Sequence, residues 1–143
     1  LYKSALIYVK KNVVGYIYEM GTVDVVKVFF HMLMNIRLYH WQTGSYARHV
    51  ASGNLYDILS GLIDKFVEVY MGRYGRPMLE DGSINVSVKE MSDEKAHEYM
   101  QEYIYFLKRE IPKHVKSTDT DLLNIRDEML AEFDKILYLF TLH

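Results

Sequence analysis

Helical spacing of apolar residues, broken at only a few points, is what most narrows the folds open to this chain. From Thr22 to Trp41 the residues Val26, Phe29, Leu33 and Ile36 recur three and four apart, the period of one face of an α-helix. Thr22 follows Gly21 as a candidate N-cap, and Asp24 sits in the first turn, where the helix dipole favours a carboxylate. Gly44 breaks the pattern. A second helix is expected from Ser45, another capping residue, to about Met71, where Gly72 and Gly75 end it. A third opens at Ser92 and Asp93 and buries Ala96, Met100, Tyr103 and Leu107 before the turn at Pro112. A fourth is capped by Thr118 or Asp119 and buries Leu122, Ile125, Met129, Phe133, Ile136 and Phe140.

The connections decide how four such helices assemble. Two are short, at Gly44 and at Pro112, and one is long: "GRYGRPMLEDGSINVSVKEM" between helices two and three. That stretch is too long for a tight hairpin and has room for a short element. Short, long, short is the pattern of an all-α four-helix bundle with one long crossover, as in ferritin-like folds. The bundle is expected over residues 21–143. Residues 1–20 form an N-terminal extension, whose "ALIYVKKNVVGYIY" reads as helix through Leu6, Val9, Val13 and Ile17, or as strand through its Val and Tyr content. Helix is the preferred reading.

Composition removes several classes of function. The chain has 143 residues, half of them hydrophobic, enough for one domain with a proper core. It has no cysteine, which excludes disulfides, zinc thiolates and Cys nucleophiles. The net charge of −2, with Lys and Arg scattered, leaves no basic footprint for nucleic acid. No apolar run reaches the roughly 18 residues of a membrane span, and Lys27 and His31 interrupt the longest. The chain opens at Leu1 rather than Met with no signal-peptide pattern, so a missing natural start and a cytoplasmic location are expected. Thirteen tyrosines and eight methionines read as core and contact residues.

Chemistry gathers around "YHWQTGSYARH", where His40 and His49 flank the turn at Gly44, next to the chain's single tryptophan, Trp41. At 100° per residue, Leu55, Leu59, Leu62 and Phe66 cluster on one side of the second helix. Asp57, Gly61, Asp64 and Glu68 form a narrow band opposite, with His49 on its flank. Such a band is also what any solvated helix face looks like, and His40 and His49 also read as a core and a first-turn residue. Asp64 and Glu68, one turn apart, repel unless something positive lies between them. Imidazole plus carboxylate is a ligand set for iron, manganese or zinc. Because the acidic band faces away from the chain's own core, a metal there needs a second subunit to cover it. Glu94-x-x-His97 is a lone copy of a motif that ferritin-type di-iron sites need twice, and it reads as a surface feature.

In these features the chain resembles the Dps mini-ferritins, and within them uncharacterised Dps-like proteins of viruses and phages. The resemblance rests on His40-Trp41-Gln42-Thr43-Gly44 at the end of the first helix, and on His49-x14-Asp64-x3-Glu68. The last helix, "TDLLNIRDEMLAEFDKILYLF", is also similar to the family's. The resemblance implies His40, His49, Asp64 and Glu68 as iron ligands at a two-fold interface, with histidines from one subunit and carboxylates from the other. It implies Trp41 as the aromatic beside the site, and a di-iron centre oxidising Fe(II) with peroxide or oxygen, with Mn or Zn as other occupants. It also implies a protective, iron-storing homo-oligomer, a dodecameric shell among the candidates, in the cytoplasm, host cytoplasm or virion. Two departures stand out. Gly53 occupies the place of a second aspartate, for which Asp57 is a candidate substitute, and the interval between the histidines is short. The alternative is a non-enzymatic helical assembly protein, viral in role, with a degenerate metal site.

Overall fold

A computed structural model describes residues 22–79 and 81–143. Among them it shows four α-helices and no strand: α1 (Thr22–Gln42), α2 (Tyr46–Tyr74), α3 (Asp93–Arg109) and α4 (Thr120–Leu139). One 3-10 turn, Ile111–Lys113, follows α3. The expected N-terminal helix lies outside the described residues.

The starts and stops follow local chemistry. Ser45 and Ser92 are extended N-caps whose hydroxyls accept from the backbone N–H three residues on, Arg48 and Lys95. Gly75 ends α2 at φ 85°, a left-handed value that a side chain resists. Asp119 heads α4 in the capping position, but its carboxylate makes no cap bond. It accepts instead from the Lys116 N–H and the Tyr74 hydroxyl, and pairs with Arg73. These partners hold the Asp119 carboxyl below its usual range, the Tyr74 hydrogen bond foremost.

End-to-end bonds define the topology. Arg73 at the foot of α2 pairs with Asp121 at the start of α4, and Arg48 at its head reaches the Phe140 carbonyl, so α2 and α4 are antiparallel neighbours. Tyr39, near the end of α1, donates to Asp93 at the start of α3. Helices α2 and α3 therefore begin at the same end of the bundle and run parallel, which obliges the chain between them to travel its length. Among its described residues, 75–79 and 81–92, that crossover holds no helix of its own, and Asn35 fastens it to α1. The fully buried Asn35 amide donates to the Ser87 carbonyl at 3.0 Å and accepts from the Lys89 N–H at 3.0 Å. A polar residue in the middle of α1 is thus satisfied by an extended backbone with no sheet to pair with.

Each helix puts a phenylalanine into the shared core: Phe29, Phe66, Phe106 and Phe133. Phe29 meets Phe66 and Phe106 edge-on at 5.6 and 6.1 Å, a favoured aromatic geometry. The expected core of α3 and α4 is buried as anticipated. On α1 the buried face is turned slightly. Val25, Met32 and Tyr39 are inside with Phe29 and Ile36, while Val26 and Leu33 lie on the flank. The aromatic rings account for the turn: Tyr39 must reach Asp93 and Arg48 with its hydroxyl.

The α1–α3 side contains two titratable groups under strain from burial. His31 stacks on Tyr99, and its Nδ1 is hydrogen-bonded to the Tyr103 hydroxyl at 2.8 Å. Burial, helped by Lys89 and Lys27, lowers its pKa to about 4, so the ring stays neutral. Glu102 is buried, and its Oε2 has no hydrogen-bond partner among the described residues. Burial raises its pKa from 4.5 to about 7, with Lys95 opposing and Glu98 assisting. The ionised form is what the fold disfavours. The penalty is absent below pH 4.5, grows as pH rises through the interval, and is complete above about 7. Glu102→Gln should therefore raise the melting temperature by a few degrees at pH 8 and change it little at pH 4.5, in thermal melts followed by circular dichroism.

Candidate metal centre

The turn after α1 is short because Ser45 caps α2 almost at once, and the Ser45 N–H is itself held by the Thr43 hydroxyl at 3.2 Å. This brings the end of α1 and the first turn of α2 side by side. His40 and His49 lie face to face, ring centroids 4.0 Å apart and planes 17° from parallel. The pair is locked by reciprocal hydrogen bonds. His40 Nδ1 lies 2.7 Å from the His49 carbonyl oxygen, and His49 Nδ1 lies 2.8 Å from the His40 carbonyl oxygen.

Those two bonds settle the protons. A carbonyl oxygen only accepts, so both Nδ1 atoms carry hydrogen, and in the neutral rings both Nε2 atoms hold a free lone pair. Holding a histidine by Nδ1–H to a backbone carbonyl is the usual way of presenting Nε2 to a metal. The buried Ser52 hydroxyl supports the pair, donating to the His49 carbonyl at 3.2 Å and lying 3.4 Å from His40 Nδ1. His49 is exposed and His40 half-buried, so the site is open to solvent.

Beneath the pair is Arg48, which no motif had singled out. Its guanidinium donates to the Tyr39 hydroxyl and the Asp93 carbonyl at 3.1 Å each, and to the Phe140 carbonyl at 3.3 Å. It lies 4.2 Å over the Phe140 ring and 3.9 Å from the Asp93 carboxylate. One side chain from α2 thereby binds the ends of the other three helices, directly below the turn that carries both histidines. Only the packed bundle reveals it, since an arginine in a first helical turn has no distinctive spacing.

The other expected ligands are placed differently. Asp64 and Glu68 are exposed on the outer face of α2, as the helical band implied. Their backbones stand about 22 and 28 Å along the helix from His49. Within one protomer they cannot share an ion with the histidines. Among the described residues no three His, Asp or Glu side chains gather closely enough to hold a metal. Asp57 is tied to Arg37 at 3.6 Å, and Arg37 lies 3.7 Å over the Tyr56 ring. Asp57 lies about 12 Å along α2 from His49, too far to stand in for a carboxylate at residue 53 within the same protomer. Trp41 is 70% exposed beside His40 in the chain. Glu94 is exposed and His97 half-buried, with no matching pair on another helix.

The donor chemistry fits a transition metal in part. One protomer offers the Nε2 atoms of two imidazoles held at Nδ1, and the remaining donors must come from elsewhere. Near the carboxylates, the face between α1 and α2 opens into a groove of about 430 Å3 lined by Phe30, Leu33, Gly61, Asp64 and Val67, among others. Phe30, Met34 and Ile58 are exposed on these helices by 47, 39 and 39%.

Residues 40–140 match a family of unknown function, DUF5856, and with more than half its length matched the chain belongs to that family. It is also 37% identical, over 67 residues, to an uncharacterised 14.6 kDa protein of the mobD-ri intergenic region of Enterobacteria phage T4. The match covers 45% of the chain and 48% of the phage protein, so the chain spans about half the length of that curated relative. No solved structure matches the chain. Among the described residues no helix is long and apolar enough to cross a membrane.

Arg48→Ala should lower unfolding free energy by about 2–4 kcal/mol in denaturant titrations, because it takes the donor from three acceptors at the ends of the other three helices. Arg48→Lys should recover less than half of that loss, since an ammonium lacks the planar fork.

Proposed function

We propose that this member of the DUF5856 family is an iron-binding bundle of the mini-ferritin kind, oxidising Fe(II) at a site shared between two copies of the chain. The observation that carries the reading is the reciprocal Nδ1–H to carbonyl lock of His40 and His49, which leaves the two Nε2 atoms outside these bonds at an open surface. Two nearly parallel rings supply lone pairs in nearly parallel planes, so they do not converge on one ion. Each ring suits an ion of its own, and paired metal sites hold their ions about 3.5–4 Å apart.

The missing carboxylates are those of Asp64 and Glu68 from a second copy. In an antiparallel pair of α2 helices related by a two-fold axis near Asp57 and Ile58, His49 of one copy stands level with the interval between Asp64 and Glu68 of the other. The exposed Phe30, Met34 and Ile58 give such a pair an apolar contact, and the Arg37–Asp57 pairing relieves the repulsion of two aspartates near the axis. Each of two Fe(II) ions gives up one electron. A peroxide takes both, its O–O bond breaks, and hydroxide and Fe(III) are left. Imidazole and carboxylate donors hold the ions, and the carboxylates neutralise the added positive charge. Manganese or zinc are other occupants of the same donors. The ferric product would be stored within a larger assembly such as a dodecameric shell. Protection against peroxide would follow, in a cytoplasm or, given the phage relative, in that of an infected host.

Stopped-flow oxidation of Fe(II) with limiting peroxide tests the reading. The wild type should outpace buffer by at least about tenfold, and Asp64→Ala/Glu68→Ala and His40→Ala/His49→Ala should each fall to the buffer rate. Light scattering should show a dimer or larger species. Equal, slow rates in all three proteins would overturn the reading and favour a helical assembly protein without metal chemistry.

A further inference from the structure

A methyl group built on Gly53 would lie 2.8 Å from Cε1 and 3.1 Å from Nδ1 of His40. Real side chains do not come that close, so the ring of His40 occupies the space that a side chain at residue 53 would take. The ring cannot yield cheaply. Its Nδ1 donates to the His49 carbonyl at 2.7 Å, its face is stacked on His49, and the buried Ser52 hydroxyl is beside it. By contrast Gly61 and Gly72 of the same helix have nothing among the described residues within 4 Å of such a methyl group.

Glycine inside a helix is ordinarily a cost, roughly 1 kcal/mol against alanine. Gly53 lies in the second turn of a 29-residue helix with an ordinary helical backbone, where nothing about its conformation requires glycine. Only the approach of the ring does. We infer that Gly53 is a positioning residue: it clears the surface of α2 so that His40 can lie against it and stack on His49, and a side chain at 53 excludes the stacked pair. The chain has exchanged one possible carboxylate for the geometry of two imidazoles. The His40–His49 half of the site therefore offers a metal nitrogen only, the donor type that suits zinc, copper, nickel and iron better than magnesium or calcium. The metal consequence rests on the proposed function; the ring clearance does not.

Two arms separate these claims, and the first uses metal-free protein. Imidazole nitrogen spectra of the wild type should show His40 and His49 as Nδ1–H tautomers. Gly53→Ala should lose that signature at both rings. It should also lower the melting temperature, whereas Gly72→Ala should leave it equal or higher. In the His40→Ala background the same Gly53→Ala change should reverse sign and raise the melting temperature by about 2–5 °C, the ordinary glycine-to-alanine gain in a helix. Retention of both tautomers in Gly53→Ala, or the same sign of effect in both backgrounds, would overturn the inference. The second arm titrates Zn(II) alone by calorimetry. Gly53→Asp, although it adds a carboxylate, should weaken binding at least tenfold, and tighter binding would overturn the exclusion. Absence of Zn(II) binding in the wild type would overturn the metal reading, while tautomers and melting temperatures still decide the role of Gly53.

Discussion

The guanidinium of Arg48 is the point at which the bundle closes. It reaches the end of α1 through Tyr39, the start of α3 through Asp93 and the end of α4 through Phe140, all from the first turn of α2. That convergence is possible only because α2 and α3 start at the same end, and the parallel arrangement in turn demands the long crossover. The crossover is fastened to α1 by Asn35, whose amide supplies it with a donor and an acceptor from inside that helix. The opposite end is closed by charge and hydroxyl groups of the same kind, where Arg73 and Tyr74 bind Asp119. Apolar residues fill the middle, and polar groups at each end decide how the helices are ordered around it.

The candidate metal centre depends on the same closure. Arg48 holds the short turn, the turn sets His40 beside His49, and the two backbone carbonyls there fix which ring nitrogens carry protons. Ser52 and Gly53 complete the support, one by a hydroxyl and the other by having no side chain. A site built this way is rigid on the histidine side and open on the other. The carboxylates that would complete it point outward on the far half of α2, beside an apolar groove. In the proposed dimer a second copy supplies both cover and charge.

Much of this was legible in residue spacing. The helices, their caps at Ser45 and Ser92, and the buried faces of α3 and α4 follow from period and capping chemistry that act within a few residues. The outward position of Asp64 and Glu68 was legible for the same reason, since helical angle is a local property. The turn of α1 was less so, because Tyr39 has to satisfy partners from other helices and rotates the buried face by a residue. Gly53 read as a gap in a ligand pattern. Small residues at 52 and 53, one turn after His49, were the available signal that something bulky comes close there.

What the sequence determined by itself is the four helices of the bundle, where they begin, and which faces are apolar or acidic, because these depend on interactions between residues close in the chain. The second helix passes through Gly72, expected to stop it, and ends only at Gly75. The tertiary structure alone decided that Arg48 and Asn35 organise the bundle, that both histidines present Nε2, that Asp57 is taken up by Arg37, and that Gly53 makes room for a ring. Each of those results from a contact between residues on different elements or from the exact rotation of a helix, and neither is encoded in local spacing.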